Sequence, residues 1–351
     1  MARAQDDVTQ AQPARALDAA SLRAATLDLY GRPPFESERL RWTGVARHEF
    51  VDQALGSPEC WRHWLEEQLF YFLLIDNFRP ESSRVEALPE LLAQGKLDVR
   101  DAIHRIALSP SFDQRNPGAD TFVTVVMEQL NGLRVQKNPR ELEVGKAIYD
   151  GRAGTFLGRT GSSQSDILSI AVADRSFAET LIEREYRRIL RAEPERKALA
   201  DWVRRLQRDA FEFRGIVREW LLAPAWDARV ASKREAPNRL WVRALYVDLL
   251  GRLPSDEEAR RLRSALDGLS DAAPLRSVFA RVLIDSGQVA LPERDAIPEP
   301  SGWIAERFRS LLGREPSARE LESFVSTFRD AECRPQTVLY AIVTHPEYQS
   351  Y

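Results

Sequence analysis

Leu311-Leu312-Gly313-Arg314-Glu315-Pro316-Ser317-Ala318-Arg319-Glu320-Leu321 reads as one helix stopping, a tight turn and a second helix starting. Gly313 supplies a residue that can take positive φ and end a helix without a Cβ clash. Pro316 excludes helix just before itself. Ser317 and Glu320 stand at capping-box spacing, where each side chain can satisfy an orphan backbone N–H of the new helix. The phrase recurs as Leu249-Leu250-Gly251-Arg252-Leu253-Pro254-Ser255 with Glu258 in place for a second box, and again as Leu29-Tyr30-Gly31-Arg32-Pro33-Pro34. A worn form stands at Ile189-Leu190-Arg191-Ala192-Glu193-Pro194.

Positions around the phrase repeat as well. Five residues before its turn residue stand Thr26, Tyr186, Tyr246 and Phe308, and ten before it Trp241 and Trp303 in the last two copies. Pro194, Pro254 and Pro316 are 60 and 62 residues apart, and Pro224 and Pro346 each lie 30 residues after Pro194 and Pro316. Matched helix lengths as well as matched turns imply a modular helical unit whose neighbours bury one another's faces.

Outward from the turns, the chain reads as helices nearly throughout. Ser21 is a plausible N-cap for a helix ending at the first turn. A second carries Phe50, Val51, Ala54 and Leu55, and a third runs from Glu59 with Trp61, Trp64, Leu65, Leu69, Phe72 and Leu73 on one broad side. After a turn at Asn77 to Ser83 come helices at 85–94, 99–108, 120–133 and 139–150, a glycine-rich loop at 151–163, and a helix from Asp166 to Ala173. Three triples follow: 178–190, 196–208 and 211–222; 238–250, 256–266 and 274–284; 302–312, 318–329 and 335–343. The expected fold is therefore all-α, tandem three- to four-helix units with no substantial sheet. It divides into a flexible lead-in (1–20), unit one (21–83), an irregular middle forming a bundle of its own (84–175), unit two (176–236), unit three (237–290), a Pro-rich linker (291–300) and unit four (301–351).

Composition narrows the function classes. With 351 residues, 44% hydrophobic and 29% charged, the chain is ordinary globular material. A net charge of −3 argues against nucleic acid or an anionic membrane as partner. The arginines crowded between Arg184 and Arg208 interleave with Glu183, Glu185, Glu193, Glu195 and Asp201, as on a solvated, salt-bridged face. Leu69 to Ile75, the longest apolar run, is too short to span a bilayer. The first twenty residues lack a secretory h-region. If the chain is complete as given, the cytoplasm is expected; if a signal peptide was trimmed, the periplasm or cell envelope. Cys60 and Cys333 make no zinc, redox or haem motif, and two separate thiols are expected rather than a disulfide.

The stretches Tyr246 to Glu258 and Phe308 to Glu320, with the endings Ala223-Pro224-Ala225-Trp226 and Thr344-His345-Pro346-Glu347-Tyr348, resemble a short all-helical repeat of unknown function from bacterial surface and secreted proteins. That repeat is itself similar to the helical domain of phycobilisome linkers. Leu27 to Pro34, with Ser57-Pro58-Glu59 and Trp61-Arg62-His63-Trp64, resembles a planctomycete-type domain that often accompanies c-type cytochromes. The resemblance implies a helical fold more than a function. The cytochrome companion would carry Cys-x-x-Cys-His, which this chain lacks, so no cofactor is assigned.

The candidate chemistry is sparse. Gly151 to Ser163, with Arg152, Arg159, Thr160, Ser162 and Ser163, can aim backbone N–H groups at an anion where a loop meets a helix N-terminus. Its glycine spacing is not that of a P-loop. A flexible connecting loop with Ser162 or Ser163 as N-cap is favoured. Cys60 and His63 are two ligands at one-turn spacing, too few for zinc, and His345 needs only a local capping role. No nucleophile motif is present. The aromatic residues Trp61, Trp64, Phe70, Tyr71 and Phe72 serve a bundle core better than a recognition patch. The Gly-Arg pairs (Gly31 and Arg32, Gly251 and Arg252, Gly313 and Arg314) predict a structural clamp in which the arginine donates to the last carbonyls of the helix it follows or pairs with an acid on the next helix, with binding of a partner's carboxylate as the lesser alternative. A non-enzymatic scaffold or linker binding another protein is the leading expectation. The alternative is a ligand- or cofactor-associated envelope or redox component using the 151–163 loop.

Overall fold

The turn phrase puts its central residue in the left-handed region each time: Gly31 (φ 66°), Arg191 (φ 54°), Gly251 (φ 65°) and Gly313 (φ 73°). The computed structural model, which describes residues 15–74 and 83–351, shows how each copy is held. Ser255 and Glu258 cap reciprocally (2.7 and 3.2 Å), as do Ser317 and Glu320 (2.7 and 3.3 Å). In the first copy Glu38 accepts from the Phe35 amide at 2.8 Å, and Phe35, with no side-chain oxygen, answers only through its backbone carbonyl, which accepts from the Glu38 amide at 3.0 Å. Beside each cap the turn arginine forks onto the same glutamate: Arg32 to Glu38, Arg252 to Glu258, Arg314 to Glu320, all between 2.6 and 3.0 Å. Arg191 pays the Cβ cost of left-handed backbone and is anchored by its guanidinium, which donates to the Tyr351 carbonyl at 2.6 Å and lies 4.3 Å from that ring's centroid.

The element order is α1 (Ala19–Tyr30), α2 (Glu36–Trp42), α3 (Arg47–Leu55), α4 (Pro58–Leu73), α5 (Ser83–Glu86), α6 (Leu88–Ala93), α7 (Val99–Ala107), α8 (Pro110–Arg115) and α9 (Gly118–Val125), which runs into a π turn at Val126–Leu130. Next come α10 (Pro139–Tyr149), a hairpin of β1 (Gly154–Phe156) and β2 (Arg159–Gly161), and α11 (Gln164–Ala173). The second half holds α12 (Arg175–Leu190), α13 (Arg196–Arg208), α14 (Glu212–Leu222), α15 (Pro224–Ala231), α16 (Asn238–Leu250), α17 (Asp256–Asp267), α18 (Ala273–Asp285), α19 (Pro300–Leu312), α20 (Ala318–Arg329) and α21 (Pro335–Val343). Among the described residues the fold is all-α apart from that hairpin and two isolated bridges, Ala16 with Ala46 and Glu235 with Ser350.

Several local expectations need correction. Residues 15–20 do not lead in freely: Ala16 bridges to Ala46, Leu17 is buried, and Asp18 rather than Ser21 caps α1. Residues 1–14 and the turn expected from Asn77 lie outside the described residues. An unexpected short helix, α2, follows the first turn. The 85–94 helix is split into α5 and α6. The 291–300 linker is mostly exposed, with a 3₁₀ turn at Arg294–Ala296 and Ile297 as its one buried residue. Cys60 and Cys333 are free, buried thiols in different cores.

Two hydrophobic cores form, one from Leu17 to Trp226 and one from Ala236 to Tyr348. The 84–175 middle shares the first core rather than closing one of its own. Within that lobe α3 packs on α14, and in the second lobe α18 packs on α21. A polar lock accompanies each pairing. Asp28, three residues before Gly31, accepts from Trp226 Nε1 at 2.9 Å, while Asp248, three before Gly251, accepts from the Tyr348 hydroxyl at 2.9 Å. Trp226 and Tyr348 both stand two residues after a closing proline.

Candidate functional site

The 151–163 segment is ordered by its own residues. Leu157 (φ 46°) and Gly158 (φ 77°) are consecutive left-handed positions, the arrangement of a two-residue hairpin turn matched to strand twist. Gly154 pairs with Gly161, Thr155 with Thr160, and Phe156 with Arg159, and Phe156 is fully buried. The hairpin thus pins a ring into the core and replaces the flexible loop expected from the sequence.

Ser163 caps α11, its hydroxyl accepting from the Asp166 amide at 3.2 Å, and the Asp166 carboxylate accepts from the Ser162 amide at 2.8 Å. That carboxylate occupies the place an external anion would take, and the Ser162 and Ser163 bonds hold its pKa down. Arg152 is largely exposed and pairs with Asp150 at 3.3 Å. Arg159 and Thr160 face solvent on β2. The five residues therefore lie on or beside one hairpin.

A cluster of buried charge lies between the lobes. Arg23 on α1 forks onto Asp248 on α16 at 2.7 and 3.0 Å. Glu66 meets Arg243 at 2.8 Å, and Glu67 pairs with Arg239. His63 sits among them, its Nδ1 3.9 Å from Glu66 and its Nε2 3.6 Å from Glu67, both too long for hydrogen bonds. Burial lowers the His63 pKa, so the ring is held neutral. Burial pushes the Glu66 carboxyl up, and Arg243, joined by His63 once acid protonates that ring, outweighs the push and holds it at about 2. Cys60 is pushed up to about 12 by burial, which leaves it a packing thiol. Among the described residues, no group of three or more His, Cys, Asp or Glu is placed to hold a metal ion. His345 accepts from the Glu347 amide at 3.2 Å, a local cap.

A cleft of about 310 Å³ opens between the α6–α7 loop and the α13–α14 turn. Trp61, Leu97, Phe211 and Phe213 give it apolar walls, with Asp98 and Arg214 as its charged groups. Sequence reading missed it because its walls come from elements more than a hundred residues apart. The Asp209-Ala210-Phe211 turn, with an aromatic residue where a polar one is usual, was the available signal.

No family model matches the chain, and neither the curated proteins nor the solved structures yield a match.

Proposed function

We propose that this protein is a non-enzymatic scaffold that binds another protein through its helical faces. The observation that carries the reading is on α18. One face of that helix buries Arg276, Ala280 and Ile284, while Val278 and Val282, one turn apart on the other face, are 53% and 63% exposed. Apolar side chains at i and i+4 on a solvent face suit docking of a partner helix. The ion-paired contact between the lobes supports the same reading, because it fixes that face relative to the other lobe. So does the likeness of the turn phrases to a short helical repeat and to linker modules. No helix among the described residues is long and apolar enough to cross a membrane.

The test is purification of the tagged full-length protein from its source cells at native expression, beside a Val278→Glu/Val282→Glu variant. A stoichiometric protein partner that the variant loses, at unchanged melting temperature, is expected. A lone chain carrying a small molecule, or a partner retained by the variant, refutes the reading.

A further inference from the structure

We infer that the cleft between the α6–α7 loop and the α13–α14 turn is a binding site for an aromatic carboxylate. The site is separate from the α18 face and does not depend on the scaffold reading.

Size sets the first limit. At about 310 Å³ the cleft has roughly twice the volume of an apolar cavity of about 150 Å³ that admits benzene, and it reaches the range of small-molecule pockets. Its walls favour a flat ring: Trp61 and Phe213 are buried, and Phe211 is 50% exposed at the lip. A ligand ring would cover Phe211 and find edge or offset contacts with the other two.

Charge sets the second. The Arg214 guanidinium lies 5.6 Å from the Trp61 ring centroid. Its Nη2 donates to the Leu92 and Ala93 carbonyls at 2.7 and 2.8 Å, which fixes the group in place at the end of α6. Two helices begin at the cleft. Residues of α7 and α14 in their first turns, Val99 and Phe213, line it; α6 and α13 end there too, and Arg214 takes up the last carbonyls of α6, so the helix ends nearly cancel and the guanidinium supplies the preference for an anion. The opposing charge, Asp98, is already engaged: its Oδ1 accepts from the Asp101 amide at 3.0 Å as the cap of α7. A carboxylate beside Arg214, with its ring against Trp61, Phe211 and Phe213, uses each of these features.

The test is isothermal titration of the full chain with 2-naphthoate, 2-naphthamide and 2-naphthylmethylammonium, which share a ring system and differ in charge. Saturable binding of the naphthoate near 1 mM or tighter is expected, the range for about 13 non-hydrogen atoms at ordinary ligand efficiency. The amide should bind at least tenfold more weakly. Arg214→Met should abolish that preference and Phe211→Ala should weaken both ligands. Should Arg214→Met fail to fold, Asp98→Asn decides, since asparagine keeps the helix cap. It should tighten naphthoate binding severalfold by removing a like charge. Naphthoate binding no tighter than the amide, tightest binding by the cation, or an Asp98→Asn variant that leaves naphthoate affinity unchanged overturns the assignment.

Discussion

Replacing Asp248 by alanine tests what joins the two lobes. Its side chain is 1% exposed and takes three hydrogen bonds, two from Arg23 across the lobe boundary and one from Tyr348 within its own lobe. Arg23 is itself 11% exposed at the side chain. Burial alone would lower the Arg23 pKa, and Asp248 reverses the sign and raises it. Burial, and then the Asp248 charge, push the Tyr348 hydroxyl well up. Truncation leaves a guanidinium buried without its counter-ion, a loss of about 3–5 kcal/mol, and the orphaned hydroxyl adds about 1 kcal/mol.

The assay is urea unfolding of wild type, Asp248→Ala, Arg23→Met and the double variant, followed by both tryptophan fluorescence and far-ultraviolet circular dichroism. Trp42, Trp61, Trp64, Trp202, Trp220 and Trp226 lie in the first lobe and only Trp241 and Trp303 in the second, so fluorescence weights the first lobe while dichroism reports both. Coincident transitions in wild type should separate in Asp248→Ala. The double variant should cost less than the two singles combined, with a coupling above about 1 kcal/mol. A shift under about 1 kcal/mol in Asp248→Ala, against the 3–5 kcal/mol expected of a broken buried pair, would show that the pair carries no weight. Additive effects in the cycle would show the same.

The turn glycines should differ although their backbones agree. Gly251→Ala meets open space and should cost only the left-handed penalty, about 1–2 kcal/mol. A Cβ on Gly31 would collide with the His63 ring and approach Arg243 Nη1 to 3.0 Å, and one on Gly313 would lie 2.9 Å from the Ala20 Cα, so both should cost more than about 3 kcal/mol by overpacking on top of strain. Equal melting temperatures for the three variants would contradict this. Acid should loosen the contact between the lobes in two stages. His63, surrounded by Glu66, Glu67, Arg188, Arg239 and Arg243, has a folded pKa below its ordinary 6.5. Its contribution is therefore full above about pH 6.5 and declines below it, with a slope of at most about 1.4 kcal/mol per pH unit. Glu66, held at about 2 against an ordinary 4.5, adds a second decline as pH falls from 4.5 towards 2. His63→Gln should remove the first stage from chemical-denaturation curves; an unchanged pH profile would assign it elsewhere.

Much of the second half of the chain was legible because its helix ends are local, although α15 (Pro224–Ala231) was read only as the ending of a triple. Asn238–Leu250, Ala318–Arg329 and Pro335–Val343 run from residue to residue as the periodicity and caps imply. Capping and left-handed helix ends depend on neighbours within six positions, and those neighbours are written in the turn phrase. The hairpin at 154–161 was not legible: Leu157 takes a positive φ against its own preference, and what compensates is burial of Phe156 in a core contributed from elsewhere.

Sequence alone therefore determined the all-α class, the helices that flank the turn phrases in the second half and the recurrence of the Gly-Arg turn, since hydrogen-bond satisfaction within one or two turns decides them. It also held, unread, the aspartates at positions 28 and 248, three residues before their glycines. Only the tertiary structure showed that each locks to an aromatic residue two positions after a distant proline, that the middle segment joins the first core, and that a cleft opens at Trp61. Those features rest on side chains meeting across roughly 40 to 200 residues of chain. Helix-to-helix register at that distance is set by the simultaneous packing of all the elements between, which no local pattern encodes.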